Sequence, residues 1–153
     1  MKLYEILFEE VNDLIEIVGY HWSNNPDLTI DTISTDPRET RQSGSRKRKY
    51  VGFYITMPKN SNLQSTEDLP SRMEANPEDG KNYGDYLYKV VLEVLRSNIF
   101  LDQNLLGSTR VSAEDLKGKF NNIQFIYVPK GIPTAEGIVL DKNTIKRFEK
   151  IEQ

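Results

Sequence analysis

The chain has no cysteine, and only one histidine and one tryptophan among its 153 residues. Without thiols there is no disulfide, no thiolate nucleophile and no cysteine-held zinc or iron-sulfur centre. A lone imidazole excludes a multi-histidine metal site. Long apolar runs are missing too: no segment approaches the roughly 20 apolar residues that cross a bilayer. The opening stretch, MKLYEILFEEVNDLIEIVGY, is punctuated by acids, unlike a signal peptide. The expectation is a protein of the cytoplasm with no membrane partner. Nor does either sign of charge dominate: the net charge is -3 with 28% charged residues, so no global field draws the molecule to nucleic acid. What is present, 37% hydrophobic residues, suffices for one core, and one domain is expected over residues 1–153.

Leu3, Ile6, Leu7, Val11, Leu14, Ile15 and Val18 recur at three- and four-residue intervals between acids, which predicts an amphipathic N-terminal helix over 1–19, ending near Gly19. A basic loop follows over 36–50, with Arg38, Arg41, Arg46, Lys47, Arg48 and Lys49. KYVGFYIT alternates so that Val51, Phe53 and Ile55 point one way while Tyr50, Gly52, Tyr54 and Thr56 point the other, a strand with one buried and one cleft-facing side. Residues 57–82 are polar, broken by Pro58, Pro70 and Pro77 and anchored only by Leu63, Leu69 and Met73, and read as a long loop over a site. YLYKVVLEVL reads as a central strand because both its faces are apolar. A short helix is expected over 112–119, then strands at IQFIYV and GIVL. A C-terminal helix is expected from Asn143 and Thr144 onward, carrying Ile145, Phe148 and Ile151. The sum is an α+β fold with a split, mostly antiparallel sheet and a helix at each end.

Three strings stand out in order: YHWS at 20–23, GFYIT at 52–56 and AEGIVLD at 135–141. Together they resemble the signature of the ADP-ribosyltransferase fold, in the His-Tyr-Glu branch shared by the diphtheria-toxin and poly(ADP-ribose) polymerase groups. The resemblance spans roughly residues 20–145. It implies NAD⁺ as substrate, with His21 on a ribose hydroxyl, the backbone of Trp22 on the nicotinamide amide, and Ser23 supporting the turn. It likewise implies Gly52 before the strand, Tyr54 stacked on the nicotinamide, Tyr83 as its second wall and Glu136 beside the anomeric carbon. Tyr86 competes with Tyr83 for that role. Trp22 stands where the family usually has glycine, and Thr134 stands where arginine-modifying members usually have an acid or glutamine two residues before the catalytic one.

These residue types suit the chemistry. Losing nicotinamide builds oxocarbenium-like charge on the sugar, which a carboxylate binds better in the transition state than in the ground state. Aromatic faces attract the cationic ring of the substrate. The expected function is mono-ADP-ribosyl transfer to a protein or nucleic-acid acceptor, steered by Arg41, Arg46, Lys47, Arg48 and Lys49, with no metal. The alternatives are an inactive binding or virion-type structural protein on the same fold and, less well matched by one histidine, an RNA-processing phosphotransferase.

Overall fold

The computed structural model describes residues 13–35, 52–60, 62–103, 122–130 and 134–152. Its framework is an eight-stranded mixed sheet: β1 (Leu14–Ser23), β2 (Phe53–Met57), β3 (Arg72–Glu74), β4 (Tyr86–Leu95), β5 (Ile99–Leu101), β6 (Phe125–Val128), β7 (Ala135–Val139) and β8 (Ile145–Ile151). The order across the sheet is β5-β6-β7-β2-β1-β4-β8, with β3 paired to β1 off this path. The β5–β6 and β1–β3 ladders are parallel and the others antiparallel.

This corrects the α+β expectation. Among the described residues no helix reaches seven residues, and the helical elements are short 3-10 turns such as Lys142–Thr144. Residues 14–19, expected as the end of the N-terminal helix, are instead part of β1; residues 1–12 lie outside the described residues. β1 is a central strand, pairing with β4 along its whole length and buried on both faces, and β-branched Ile15, Ile17 and Val18 suit that position better than a helix. The expected C-terminal helix is also a strand. Asp141 caps the turn at Lys142–Thr144 by accepting from the Asn143 amide (2.9 Å), and Ile145–Ile151 then continues as β8 against β4. The basic run 36–50 and the helix expected at 112–119 lie outside the described residues.

Alternation divides the apolar residues between the faces. One face carries the main cluster, including Ile15, Ile17, Phe53, Ile55, Met57, Val90, Leu92, Phe125, Tyr127 and Val139. Segment 57–82 contributes to it through Leu63, Leu69 and Met73, all buried, and supplies β3. Arg96, at the end of β4, clasps this segment by donating to the carbonyls of Thr66 (3.0 Å) and Leu69 (2.5 Å) while pairing with Asp13 (2.9 Å). The opposite face carries two smaller clusters, one with Ile126, Ile138 and Leu140 beside Tyr54, the other with Val18, Tyr20, Trp22 and Leu87.

Candidate functional site at the parting of two strands

β1 and β2 are in register at a single pair, Tyr20 opposite Thr56. On its other edge β2 runs against β7 along its length, with Thr56 opposite Glu136 and Tyr54 opposite Ile138. Glu136, Thr56 and Tyr20 therefore form one cross-strand row on the face away from the main cluster. Tyr54 lies two residues from Thr56 on that same face. Tyr54 and Glu136 are diagonal neighbours, about 7–8 Å apart, a span an aromatic side chain bridges. Both are partly exposed.

His21 follows the registered pair on β1. Its ring issues from the opposite face, where it packs 4.4 Å from the ring of Phe53. It joins Tyr54 through the main chain: Nδ1 lies 2.7 Å from the Tyr54 carbonyl oxygen. A carbonyl only accepts, so Nδ1 is the donor in this contact. The structure thus brings the phenol and the carboxylate together on one face. The imidazole sits one strand away, where β1 and β2 part.

Trp22 points to the face of Tyr54 and Glu136 but does not stand open there. It is buried, and its indole Nε1 donates to the carbonyl of Pro77 (2.9 Å). Ser23 accepts from the Asn25 amide through Oγ (3.0 Å), closing the turn after β1. Gly52 is buried against β7, where a Cβ would meet the Val139 carbonyl at 2.9 Å.

The segment 75–84 runs across the place where β1 and β2 part. The Ala75 amide donates to the Val18 carbonyl (2.9 Å), and the Asn76 side chain accepts from the Glu78 amide (3.0 Å). Gly80 has φ of 76°, which favours glycine, and a Cβ there would lie 2.9 Å from Thr56 Oγ1. Gly84 needs its missing side chain for another reason: a Cβ would meet the Ser23 backbone at 2.5–2.7 Å. Tyr83 lies between these contacts, half exposed, its amide donating to the Gly80 carbonyl (2.9 Å). It is thereby held between Thr56 on β2 and Ser23 on β1. Tyr86 belongs to β4 opposite Ser23, with Lys150 Nζ 4.9 Å from its ring centre.

Tyr20 completes the row. Burial pushes its phenol above the usual tyrosine range, Glu74 pushes the same way, and Arg72 opposes them. Thr134, two residues before Glu136, is buried with its hydroxyl unpaired. Among the described residues there is no group of three or more His, Asp or Glu able to hold a metal ion. None of their helices is long and apolar enough to cross a membrane.

Thr56, Tyr20, Gly80 and Gly84 were not singled out from sequence as site residues. The run Asn76-Pro77-Glu78-Asp79-Gly80 carries two turn dipeptides, Asn-Pro and Asp-Gly, the signal from which a structured turn beside the site was readable. No protein-family model, curated protein or solved structure matches the chain.

Proposed function

We propose that the chain is a mono-ADP-ribosyltransferase that cleaves NAD⁺ at the nicotinamide–ribose bond and passes ADP-ribose to a protein or nucleic-acid acceptor. What supports this reading is the juxtaposition of Tyr54 and Glu136 as diagonal neighbours on β2 and β7, with His21 bonded to the Tyr54 carbonyl and Tyr83 bracketed between Thr56 and Ser23.

In this reading the bond from the anomeric carbon to the nicotinamide nitrogen breaks, and its electron pair leaves with nicotinamide, which becomes neutral. The acceptor nucleophile bonds to the anomeric carbon and gives up its proton. The Glu136 carboxylate faces the positive charge that grows on the sugar. Tyr54 and Tyr83 take the cationic ring between aromatic faces, each contact worth about 0.5–2 kcal/mol depending on its exposure to water. His21 holds a ribose hydroxyl through Nε2.

A catalytically inactive binding protein is the competing reading, and the observation in its favour is that the imidazole packs against Phe53 and not beside the phenol. Incubation with NAD⁺ labelled in the adenosine moiety, with and without a cell extract as acceptor source, separates the two. Wild type is expected to release nicotinamide and Glu136→Gln to do so at least about 100-fold more slowly, the loss typical of removing a group that stabilises transition-state charge. Absence of turnover in both, together with no NAD⁺ binding by calorimetry, would sink the transferase reading.

A further inference from the structure

We infer that Trp22 is a positioning residue for Tyr83: its indole N–H, bonded to the Pro77 carbonyl, sets where the 77–84 segment stands over the parting of β1 and β2. The inference rests on the proposed use of Tyr83 as one wall of the nicotinamide site.

The geometry carries it in three contacts. Trp22 is the last residue of β1 but one and is 7% exposed, so its indole is a fixed point of the sheet. The bond to Pro77 (2.9 Å) fastens the start of the segment to that point. At the far end Gly84 lies against the Ser23 backbone, with no room for a methyl group, and between them Gly80 abuts Thr56 Oγ1. Between Pro77 and Tyr83 the chain is tied by turn bonds, the Asp79 amide to the Asn76 carbonyl (3.1 Å), Lys81 to Glu78 (3.3 Å) and Tyr83 to Gly80 (2.9 Å), which pass a hold at Pro77 along the segment. Tyr83 is six residues from Pro77 and one from Gly84, so movement at either end displaces its ring. Trp22 also packs in the cluster of Val18, Tyr20, Ala75 and Leu87; a phenylalanine would keep most of that packing but could not donate.

The test uses Trp22→Phe and, from the other end, Gly84→Ala, each alone and combined with Tyr83→Ala. The ligand-free readout is amide hydrogen exchange over 76–84. Both single variants are expected to exchange faster there, with β1, β4 and β7 protected as in wild type. The functional readout is the KM for NAD⁺ against kcat. Losing one neutral hydrogen bond predicts a rise in KM of about fivefold with kcat little changed. In the Tyr83→Ala background the same substitution adds no further rise, because both act through one ring. Unchanged exchange over 76–84 in Trp22→Phe overturns the inference, as does a KM rise that persists undiminished without Tyr83. Faster exchange in a protein whose wild type neither binds nor consumes NAD⁺ upholds the anchor and removes the transferase reading instead.

Discussion

Replacing His21 with asparagine keeps a donor where Nδ1 stands and deletes Nε2, because the asparagine amide nitrogen occupies nearly the same place along the side chain as Nδ1. The bond from Nδ1 to the Tyr54 carbonyl is 2.7 Å long, and a neutral bond of this kind contributes a net of about 0.5–1.5 kcal/mol. The ring contact with Phe53 at 4.4 Å adds about 0.5–1.5 kcal/mol. His21→Ala loses both and is expected to cost about 1–3 kcal/mol, lowering Tm by about 2–4 °C for each kcal/mol in a chain of this length. His21→Asn keeps the bond to the carbonyl and loses the ring contact, so its cost is expected to be about half as large. Nicotinamide release reads the chemistry separately. Both variants lack Nε2 and should lose the ribose contact alike, with kcat/KM down about fivefold or more. The thermal melts and the NAD⁺ assay therefore rank the variants differently. If His21→Asn turns over NAD⁺ as fast as wild type, Nε2 touches no substrate and His21 serves only to hold Tyr54. If it is as unstable as His21→Ala, the bond to the carbonyl is not what His21 contributes.

Arg96→Met leaves the Leu69 carbonyl without this donor, while the Thr66 carbonyl keeps the Leu69 amide (3.2 Å), and is expected to cost about 1–3 kcal/mol in urea denaturation, the half-exposed Asp13 adding little; a loss below about 0.5 kcal/mol, the range of ordinary surface changes, would mean that the clasp on segment 57–82 is dispensable. Burial pushes the Tyr127 phenol up from 10.0 to about 12, and its hydroxyl donates to the Pro58 carbonyl. Because the folded value is the higher one, the stability is intact below pH 10 and drains as the unfolded chain ionises between pH 10 and about 12, by about 1.4 kcal/mol per unit. Tyr127→Phe should flatten that alkaline decline, and an unchanged slope would assign it to other groups. Thr134→Val removes a buried hydroxyl that has no partner and is expected to be neutral or stabilising by up to about 1 kcal/mol in thermal melts; a clear destabilisation would show that the hydroxyl is satisfied in solution.

The site was legible in the sequence only as far as strands reveal their neighbours. The alternation in KYVGFYIT assigned Tyr54 and Thr56 to one face and Phe53 and Ile55 to the other, and β2 has that arrangement. Nothing in the string said that Thr56 would stand between Glu136 and Tyr20, because strand order is set by which edges find each other, over separations of more than 30 residues on one side and 80 on the other. The same limit applied to His21. Its ring faces Phe53 because β1 keeps its alternation against β4, where His21 pairs with Tyr88, and that register depends on residues 67 positions away. Trp22 was legible as a bulky residue where the resembled family usually has glycine. Its partner, the Pro77 carbonyl, is main chain, and no side-chain pattern announces a main-chain acceptor.

The two helix expectations failed for different physical reasons. In β1 both faces are covered, so apolar residues occupy 15, 17, 18, 20 and 22, and a strand buried on both sides has no two-residue period to display. Three- and four-residue spacings such as Leu14 to Val18 then arise by density alone. In β8 the cause is a bulge. The ladder with β4 shifts between Val91 and Leu92: Ile145 pairs with Leu92 and Arg147 with Val91, leaving Lys146 as the extra residue. One inserted residue reverses the parity of the strand, so Ile145 and Phe148, three apart, both face the main cluster, whereas Ile151 turns to the other face beside Leu87. A spacing of three on one face is what a helix would show. The discriminating feature is Lys146, the exposed extra residue that follows buried Ile145 in a largely exposed strand, and the prediction it carries is direct: deleting Lys146 closes the bulge and forces either Ile145 or Phe148 off the main cluster. The loss of that side chain's burial, about 1.5–3 kcal/mol, should appear in urea denaturation, and a deletion variant as stable as wild type would mean that the register shift is not what places these two residues together.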